Sequence, residues 1–536
     1  MTAEQQASGP SSGPLTLHFS LQDMEKFAAE LAMLLTQGDT LTLKGDLGAG
    51  KTTFARALIR AKANDPTLEV PSPTFPLCIP YETASGRITH FDLYRLSDQS
   101  ELEEIGFYDA LEHSLTLIEW PENAGPESYR SHCAISFEEQ EQGESRKLEI
   151  TANGPCAERL TRLLKVQSFL REAGWQAASW QFLQGDASTR SYIRLNMADQ
   201  KALLMNAPPQ PDGPPIKDNK PYSQIAHLAE DMTSFVAISK DLTSKGFALP
   251  NIIKHDIDAG LLLIEDFGDD QYHHLITNEN QPKAPLYQAA IEVLVELRGY
   301  KPGAIEVNNR QYTLPTYDRS TLKIETDLLI EWYWPFVKQE TCSETAKSDY
   351  AEIWQTLFNK VMKEDYDHWV LRDYHSPNLM KLPGQSPLQQ VGIIDFQDAL
   401  KGHAAYDLVS LCQDARLTIE APSEEAFKAH YCQRVAANDP AFNQTAFQSA
   451  YAILGAQRSC KLLGIFVRLS KRDGKHHYQA HIPRIWDYLE RNLQHKDLAP
   501  LKEWFQDHFK QQQRAEFFMP NKTHPAAPAS QPKVQP

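Results

Sequence analysis

Residues 45–53 read Gly45-Asp46-Leu47-Gly48-Ala49-Gly50-Lys51-Thr52-Thr53, between an apolar run, Thr40–Lys44, and a helical pattern that continues to Asn64. The stretch fits G-x-x-x-x-G-K-[ST] at every fixed position, in the strand–loop–helix order the motif needs. Glycines let backbone N–H groups curl around phosphate oxygens at the positive end of a helix. Lys51 is then placed for the β- and γ-phosphates, and the Thr52 hydroxyl for Mg²⁺. Gly45 through Thr53 are therefore expected to bind ATP, with Mg²⁺ as its companion ion.

Around this loop, short apolar strands (Thr40–Gly45, Arg87–Leu96, Leu115–Trp120) alternate with helical stretches (Met24–Gln37, Thr52–Asn64), an α/β pattern. Asp92 lies within His90-Phe91-Asp92-Leu93-Tyr94-Arg95, and Glu119 closes the next strand before Trp120-Pro121. Either carboxylate is suited to holding Mg²⁺ or orienting a water beside the γ-phosphate. A solvated acid at a strand end is the plain alternative. Pro71-Ser72-Pro73-Thr74-Phe75 is a proline-stiffened, switch-like turn carrying a hydroxyl suited to sensing the phosphate.

The segments GDLGAGKTTFAR, SPTF, HFDLYRL, ELEEIG and IEWPENAG, in that order across about residues 15–150, resemble the TsaE family. These are the small P-loop ATPases of bacterial tRNA threonylcarbamoyladenosine synthesis. The resemblance implies an α/β P-loop NTPase domain that hydrolyses ATP for N6-threonylcarbamoylation of tRNA adenosine(37). It implies TsaB/TsaD-like subunits of a threonylcarbamoyl-transferase complex as partners. Thr52 and Glu119 become the Mg²⁺ residues, and Asp92 supports catalysis. Charge agrees: residues 1–155 hold 24 Asp and Glu against 11 Lys and Arg, so most of the net −17 lies there. Such a surface repels a phosphate backbone, and no strong direct nucleic-acid binding is expected.

A second constellation is Leu371-Arg372-Asp373-Tyr374-His375-Ser376-Pro377-Asn378, followed by Ile393-Ile394-Asp395-Phe396. In kinase-type transfer an Asp accepts the substrate hydroxyl proton. An Asn five residues later helps bind Mg²⁺, and a second Asp at a strand end holds the bridging metal. The apolar runs before Asp373 and Asp395 place both at neighbouring strand ends. Asp266-Phe267-Gly268 spells a kinase motif but precedes the catalytic loop; Leu261–Asp269 fits a hinge strand between lobes instead. Ser188, Thr189 and Arg190, in a turn between two strand-like runs, are candidates to cover ATP phosphates. An ordinary hairpin is the alternative. His375 suits packing within the loop, and Asp407 an anchoring role.

These residues, with GDASTRSYIRL, MNAPP, LLIEDFGD and GHAAYDLVSLCQDAR, resemble the aminoglycoside phosphotransferase (choline-kinase-like) superfamily across about residues 165–500. Nearest is its group of sugar kinases that phosphorylate N-acetylmuramate and N-acetylglucosamine at the anomeric hydroxyl. The resemblance implies an α+β bilobal protein-kinase-like domain, with Asp373 as base and Asn378 and Asp395 as Mg²⁺ ligands. Two departures stand out. The usual His-Gly-Asp is Leu371-Arg372-Asp373 here, and the expected β3 lysine has no clear counterpart beyond Lys201, which borders Ala202–Met205.

At 536 residues the chain is too long for one ordinary domain. Residues 1–14 and 519–536 read as disordered from their Ser/Gly/Pro/Gln-rich and Pro/Ala-rich composition. The first module is expected over 15–155 and the second over 157–518, divided near Thr151–Glu158. Seven cysteines without a Cys-x-x-Cys pair support neither a disulfide framework nor a zinc site, which points to a reducing, cytoplasmic setting. No apolar run reaches the ~18 residues of a membrane span. The expectation is a bifunctional fusion of an ATPase and an ATP-dependent kinase acting on a small molecule, an amino sugar first. An aminoglycoside or choline-like substrate, or a non-catalytic kinase-fold binding module, stays open as the alternative.

Overall fold

In the computed structural model, which describes residues 15–125, 127–130, 132–140, 145–183, 190–208 and 219–510, the run Thr40–Lys44 is the middle strand of a seven-stranded sheet. The two termini read as disordered, and Ser188 and Thr189, lie outside the described residues. The sheet comprises β1 (Leu15–Ser20), β2 (Thr40–Lys44), β3 (Cys78–Thr83), β4 (Gly86–Asp92), β5 (Leu115–Glu119), β6 (Cys133–Gln140) and β7 (Ser145–Ala152), ordered β1-β7-β6-β2-β5-β4-β3. Strands β6, β2, β5 and β4 run parallel, and the outer strands pair antiparallel. Four of the five residues of β2, and all of β5, are buried, as expected of strands covered on both faces.

Helix α1 (Leu21–Ala32) starts at Ser20, whose hydroxyl accepts from the Asp23 N–H. Helix α2 (Lys51–Ala63) buries Phe54, Ala55, Leu58 and Ile59, a single stripe at helical spacing. Short helices α3 (Glu101–Glu104) and α4 (Phe107–His113) precede β5. The strand expected through Leu96 stops at Asp92, because the Asp92 carboxylate turns back to accept the Tyr94 N–H at 3.1 Å.

After β7, α5 (Gly154–Glu172) leads into a five-stranded antiparallel sheet of β8 (Ser179–Leu183), β9 (Ser191–Met197), β10 (Gln200–Asn206), β11 (Ile252–Asp256) and β12 (Leu261–Glu265), in the order β11-β12-β10-β9-β8. Its core joins Val166, Phe169 and Leu170 of α5 to Ile193, Leu195, Leu204, Leu261 and Leu263. By contacts, Met1–Pro208 and Ile252–Asp266 make one compact unit, and Pro209–Asn251 with Phe267–Pro536 the other.

The second unit is mostly helical, with long helices at Glu344–Val361, Ala421–Asn438 and Gln444–Asp473. Its strands form three two-stranded antiparallel ladders. Hairpin β13 (Ala304–Val307) pairs β14 (Arg310–Thr313), β15 (His368–Val370) pairs β18 (Leu400–Gly402), and β16 (Leu379–Lys381) pairs β17 (Val391–Ile393). All seven cysteines are free thiols, and no helix among the described residues is long and apolar enough to cross a membrane.

Candidate active sites

The first site forms at the carboxyl ends of β2, β5 and β4. Gly45 leaves β2 with φ +145°, and a Cβ there would lie 2.7 Å from the Phe137 carbonyl oxygen, so the loop closes only around glycine. Gly50, at φ +106°, turns the chain into α2 and leaves the N–H groups of its first turn at the mouth of the loop. The Lys51 ammonium folds into the cradle, donating to the carbonyls of Gly45 at 2.7 Å and Asp46 at 2.9 Å. It also lies 3.9 Å from the centroid of the Trp120 ring. Burial pulls its pKa down, against the pull of Glu119 and Asp92.

Register then brings the acids together. Leu43 and Asp92 both pair with Glu119 on its two flanks. The Thr52 hydroxyl reaches both Glu119 oxygens, at 2.8 and 3.0 Å, and His90 Nε2 lies 2.9 Å from Glu119 Oε1. Asp92 Oδ2 accepts the hydroxyls of Ser72 at 2.9 Å and Thr74 at 2.5 Å, so the Pro71–Phe75 turn is tied to a strand end. Thr52 and Glu119 offer hard oxygen donors side by side, a set that suits Mg²⁺.

The second site is built from the turns after β15 and β17. Asp373 follows β15, Asn378 ends a short 3₁₀ turn, and Asp395 follows β17 with φ 57°. Pairing of Leu379 with Ile393 and an Ile394 N–H bond to the Asn378 carbonyl, 3.1 Å, fix the two turns together. The Asn378 amide donates to the Asp373 carbonyl at 3.0 Å and to Asp395 Oδ2 at 3.3 Å. One carboxamide and one carboxylate thus sit beside the base candidate, again an oxygen set that fits Mg²⁺. Burial would raise the Asp373 pKa, but Lys461, Arg458, His375 and Arg372 outweigh it and hold the carboxyl below its usual range.

Asp266 closes against Arg194 at 2.6 Å as an ion pair within the five-stranded sheet. Lys201 is exposed as the second residue of β10, opposite Asn196, and Arg190 is half-buried just before β9. His375 is buried, with Nε2 3.1 Å from Arg416, and burial lowers its pKa to about 4.

Residues 19–148 match the family described as threonylcarbamoyl adenosine biosynthesis protein TsaE, and residues 179–443 the phosphotransferase enzyme family. An N-acetylmuramate/N-acetylglucosamine kinase of Caulobacter vibrioides is 36% identical over 348 residues, 63% of this chain and 94% of that protein. A TsaE protein of Rickettsia typhi is 42% identical over 103 residues, 19% of this chain and 71% of that protein. One of Rickettsia felis is 45% identical over 101 residues, 58% of its length. The chain belongs to both families. It is a fusion of a TsaE ATPase module with an ATP-using kinase module.

In the kinase module, further buried residues build the site. Asp407, in the helix Ala405–Cys412, accepts the N–H groups of Leu371 at 2.6 Å and Arg372 at 2.9 Å. Burial raises its pKa to about 7 despite those bonds. Asp414 accepts the Ser376 N–H at 2.9 Å. Glu325, Arg458 and Lys461, all buried, lie against the Arg372–Asp373 turn: Arg372 donates to Glu325, Lys461 pairs with Glu325, and Arg458 donates to the Arg372 carbonyl. The run Gly402–Arg416 pointed to Asp407 as an anchor, and its second acid, Asp414, went unread. Nothing local pointed to the last three. In the TsaE module, His90 was the readable miss: it stands two residues before Asp92 on a strand, hence on the same face.

Proposed function

We propose that the kinase module transfers the γ-phosphoryl of MgATP to an amino sugar of the N-acetylmuramate/N-acetylglucosamine class. Asp373 takes the hydroxyl proton, and Asn378 and Asp395 hold Mg²⁺. The observation that carries this reading is that Asp373, Asn378 and Asp395 sit on two turns locked by one backbone ladder, with the Asn378 amide bonded to both the Asp373 carbonyl and the Asp395 carboxylate. Kinase-type transfer depends mainly on positioning and charge neutralisation, which such a set supplies. The relatives' names supply the substrate class. The test is a phosphotransfer screen of the full chain with MgATP against N-acetylmuramate, N-acetylglucosamine, aminoglycosides and choline. Transfer to an N-acetylated sugar, abolished by Asp373→Asn, is expected; transfer to aminoglycosides alone would refute the substrate class. No transfer to any acceptor would favour a binding module.

In the same reading, the TsaE module hydrolyses ATP within the machinery for tRNA threonylcarbamoyladenosine, beside other protein subunits. Thr52 and Glu119 hold its Mg²⁺, Asp92 orders the Pro71–Phe75 turn against the nucleotide, and Gly45–Thr53 grip the phosphates. The contact of Thr52 with Glu119 supports it, because a hydroxyl and a carboxylate at that spacing can share one cation. Co-purification with TsaB/TsaD-like subunits tests the assignment. An active ATPase that fails to bind them would instead be a general P-loop regulator.

A further inference from the structure

We propose that Arg372 is a positioning residue for phosphoryl transfer: its buried bridge to Glu325 holds the residue before Asp373 in a left-handed turn that aims the Asp373 carboxylate. The proposal rests on the reading of Asp373 as the base.

Arg372 has φ 72°, a region where glycine is at ease and other residues are not. Such a conformation is strained for a non-glycine residue and persists only where its surroundings over-determine it. Here they do. The Arg372 N–H donates to Asp407 Oδ1 at 2.9 Å, and its carbonyl accepts from Ser410 Oγ and Arg458 Nη1, both at 3.4 Å. The guanidinium donates to Glu325 Oε1 at 2.5 Å and to the Ala226 carbonyl at 2.9 Å.

Glu325 is fully buried and is itself fixed by Lys461 at 2.7 Å, by Gln457 at 2.8 Å and by the Tyr317 hydroxyl. Residue 372 is therefore pinned at its amide, its carbonyl and its side chain: the helix Ala405–Cys412 holds the amide and shares the carbonyl with Arg458, and Glu325 and the Ala226 carbonyl hold the side chain. A buried ion pair adds little net stability over apolar packing. Stability alone gives no reason for an arginine at a position where glycine fits without strain. A planar fork locked to two acceptors does give one: it fixes the direction of the next residue.

Arg372→Gly separates the two roles, because glycine adopts φ 72° freely and leaves Glu325 paired with Lys461. Steady-state kinetics of the full chain with MgATP and N-acetylglucosamine should show kcat down about 10²-fold, with both KM values within about twofold of wild type. Arg372→Lys, which keeps one charged donor, should recover part of the loss. A kcat for Arg372→Gly within about twofold of wild type overturns the proposal. If that variant does not fold, Glu325→Asp, which shortens the bridge by one methylene, decides: kcat lost at constant KM supports it, and unchanged kcat refutes it. Asp373→Asn run alongside separates the two levels. Wild-type turnover by Asp373→Asn removes the base assignment, whereas an inactive Asp373→Asn beside a fully active Arg372→Gly removes the positioning role alone.

Discussion

Glu119 is the residue on which the TsaE site turns. The Thr52 hydroxyl and the His90 ring both point at its carboxylate, and Lys51 sits within reach of its field. Glu119→Gln preserves size and hydrogen bonding while removing the charge that would draw a cation. ATP hydrolysis by the full chain is expected to fall on the order of 10²-fold, with binding of a fluorescent ATP analogue retained. Hydrolysis at the wild-type rate would take Glu119 out of the metal site. At this scale the sequence was most readable where chemistry dictates residue types at short spacing, as in Gly45–Thr53 or Asp373 and Asn378. It was mute where the partner lies far along the chain. Glu325 reaches Arg372 across 47 residues, and no local spacing encodes that pairing.

Elements were legible in proportion to how fully they are buried. β2 and β5 announced themselves as apolar runs, but β3 and β6 did not. β3 is an edge strand carrying Pro80 and half-exposed residues, a pattern that reads as loop. β6 ends in Glu138-Glu139-Gln140, whose exposed and half-buried side chains mask the alternation before them. The paired strands β15 and β18 lead into two buried histidines, His375 and His403, each with a pKa lowered by burial to about 4 from 6.5. The sign follows from linkage. An unfolded chain takes up protons as pH drops below 6.5, while the folded chain refuses them until about 4. Their contribution is whole above 6.5 and is lost as pH falls toward 4, at up to roughly 1.4 kcal/mol per pH unit for each histidine. Asp407, raised to about 7 from 3.8, acts the other way and loses stability as pH rises through that window. Denaturant unfolding at pH 7.5 and 4.5 should show wild type losing more stability on acidification than His403→Asn. Equal losses would mean that His403 is not held neutral.

At the scale of the whole chain, the sequence separated two modules at a composition break, yet the structure continues a packed interior across it. α5 lies between the two sheets of the first unit. Gln167 donates to Glu30 of α1 at 2.7 Å, Arg159 pairs with Asp39, and Lys26 bonds the Gln176 carbonyl at 2.5 Å. Met33, at the end of α1, is counted in the core of the five-stranded sheet, and Trp180 of β8 packs against that core and the core of the seven-stranded sheet alike. Lys62, the penultimate residue of the helix that begins at the P-loop, lies 5.9 Å from the Phe182 ring. The two sheets should therefore unfold together. Trp180→Ala removes a side chain shared by both cores, at an expected cost of about 2 kcal/mol. Because the loss falls on both, thermal inactivation of ATP hydrolysis and of sugar phosphorylation should move down by the same number of degrees. A shift in one activity with the other unmoved would show that the sheets melt independently and that α5 is only a tether. Equal shifts would make the fusion a single folding unit, so that cutting the chain near 155 would cost each activity the stability supplied by the other.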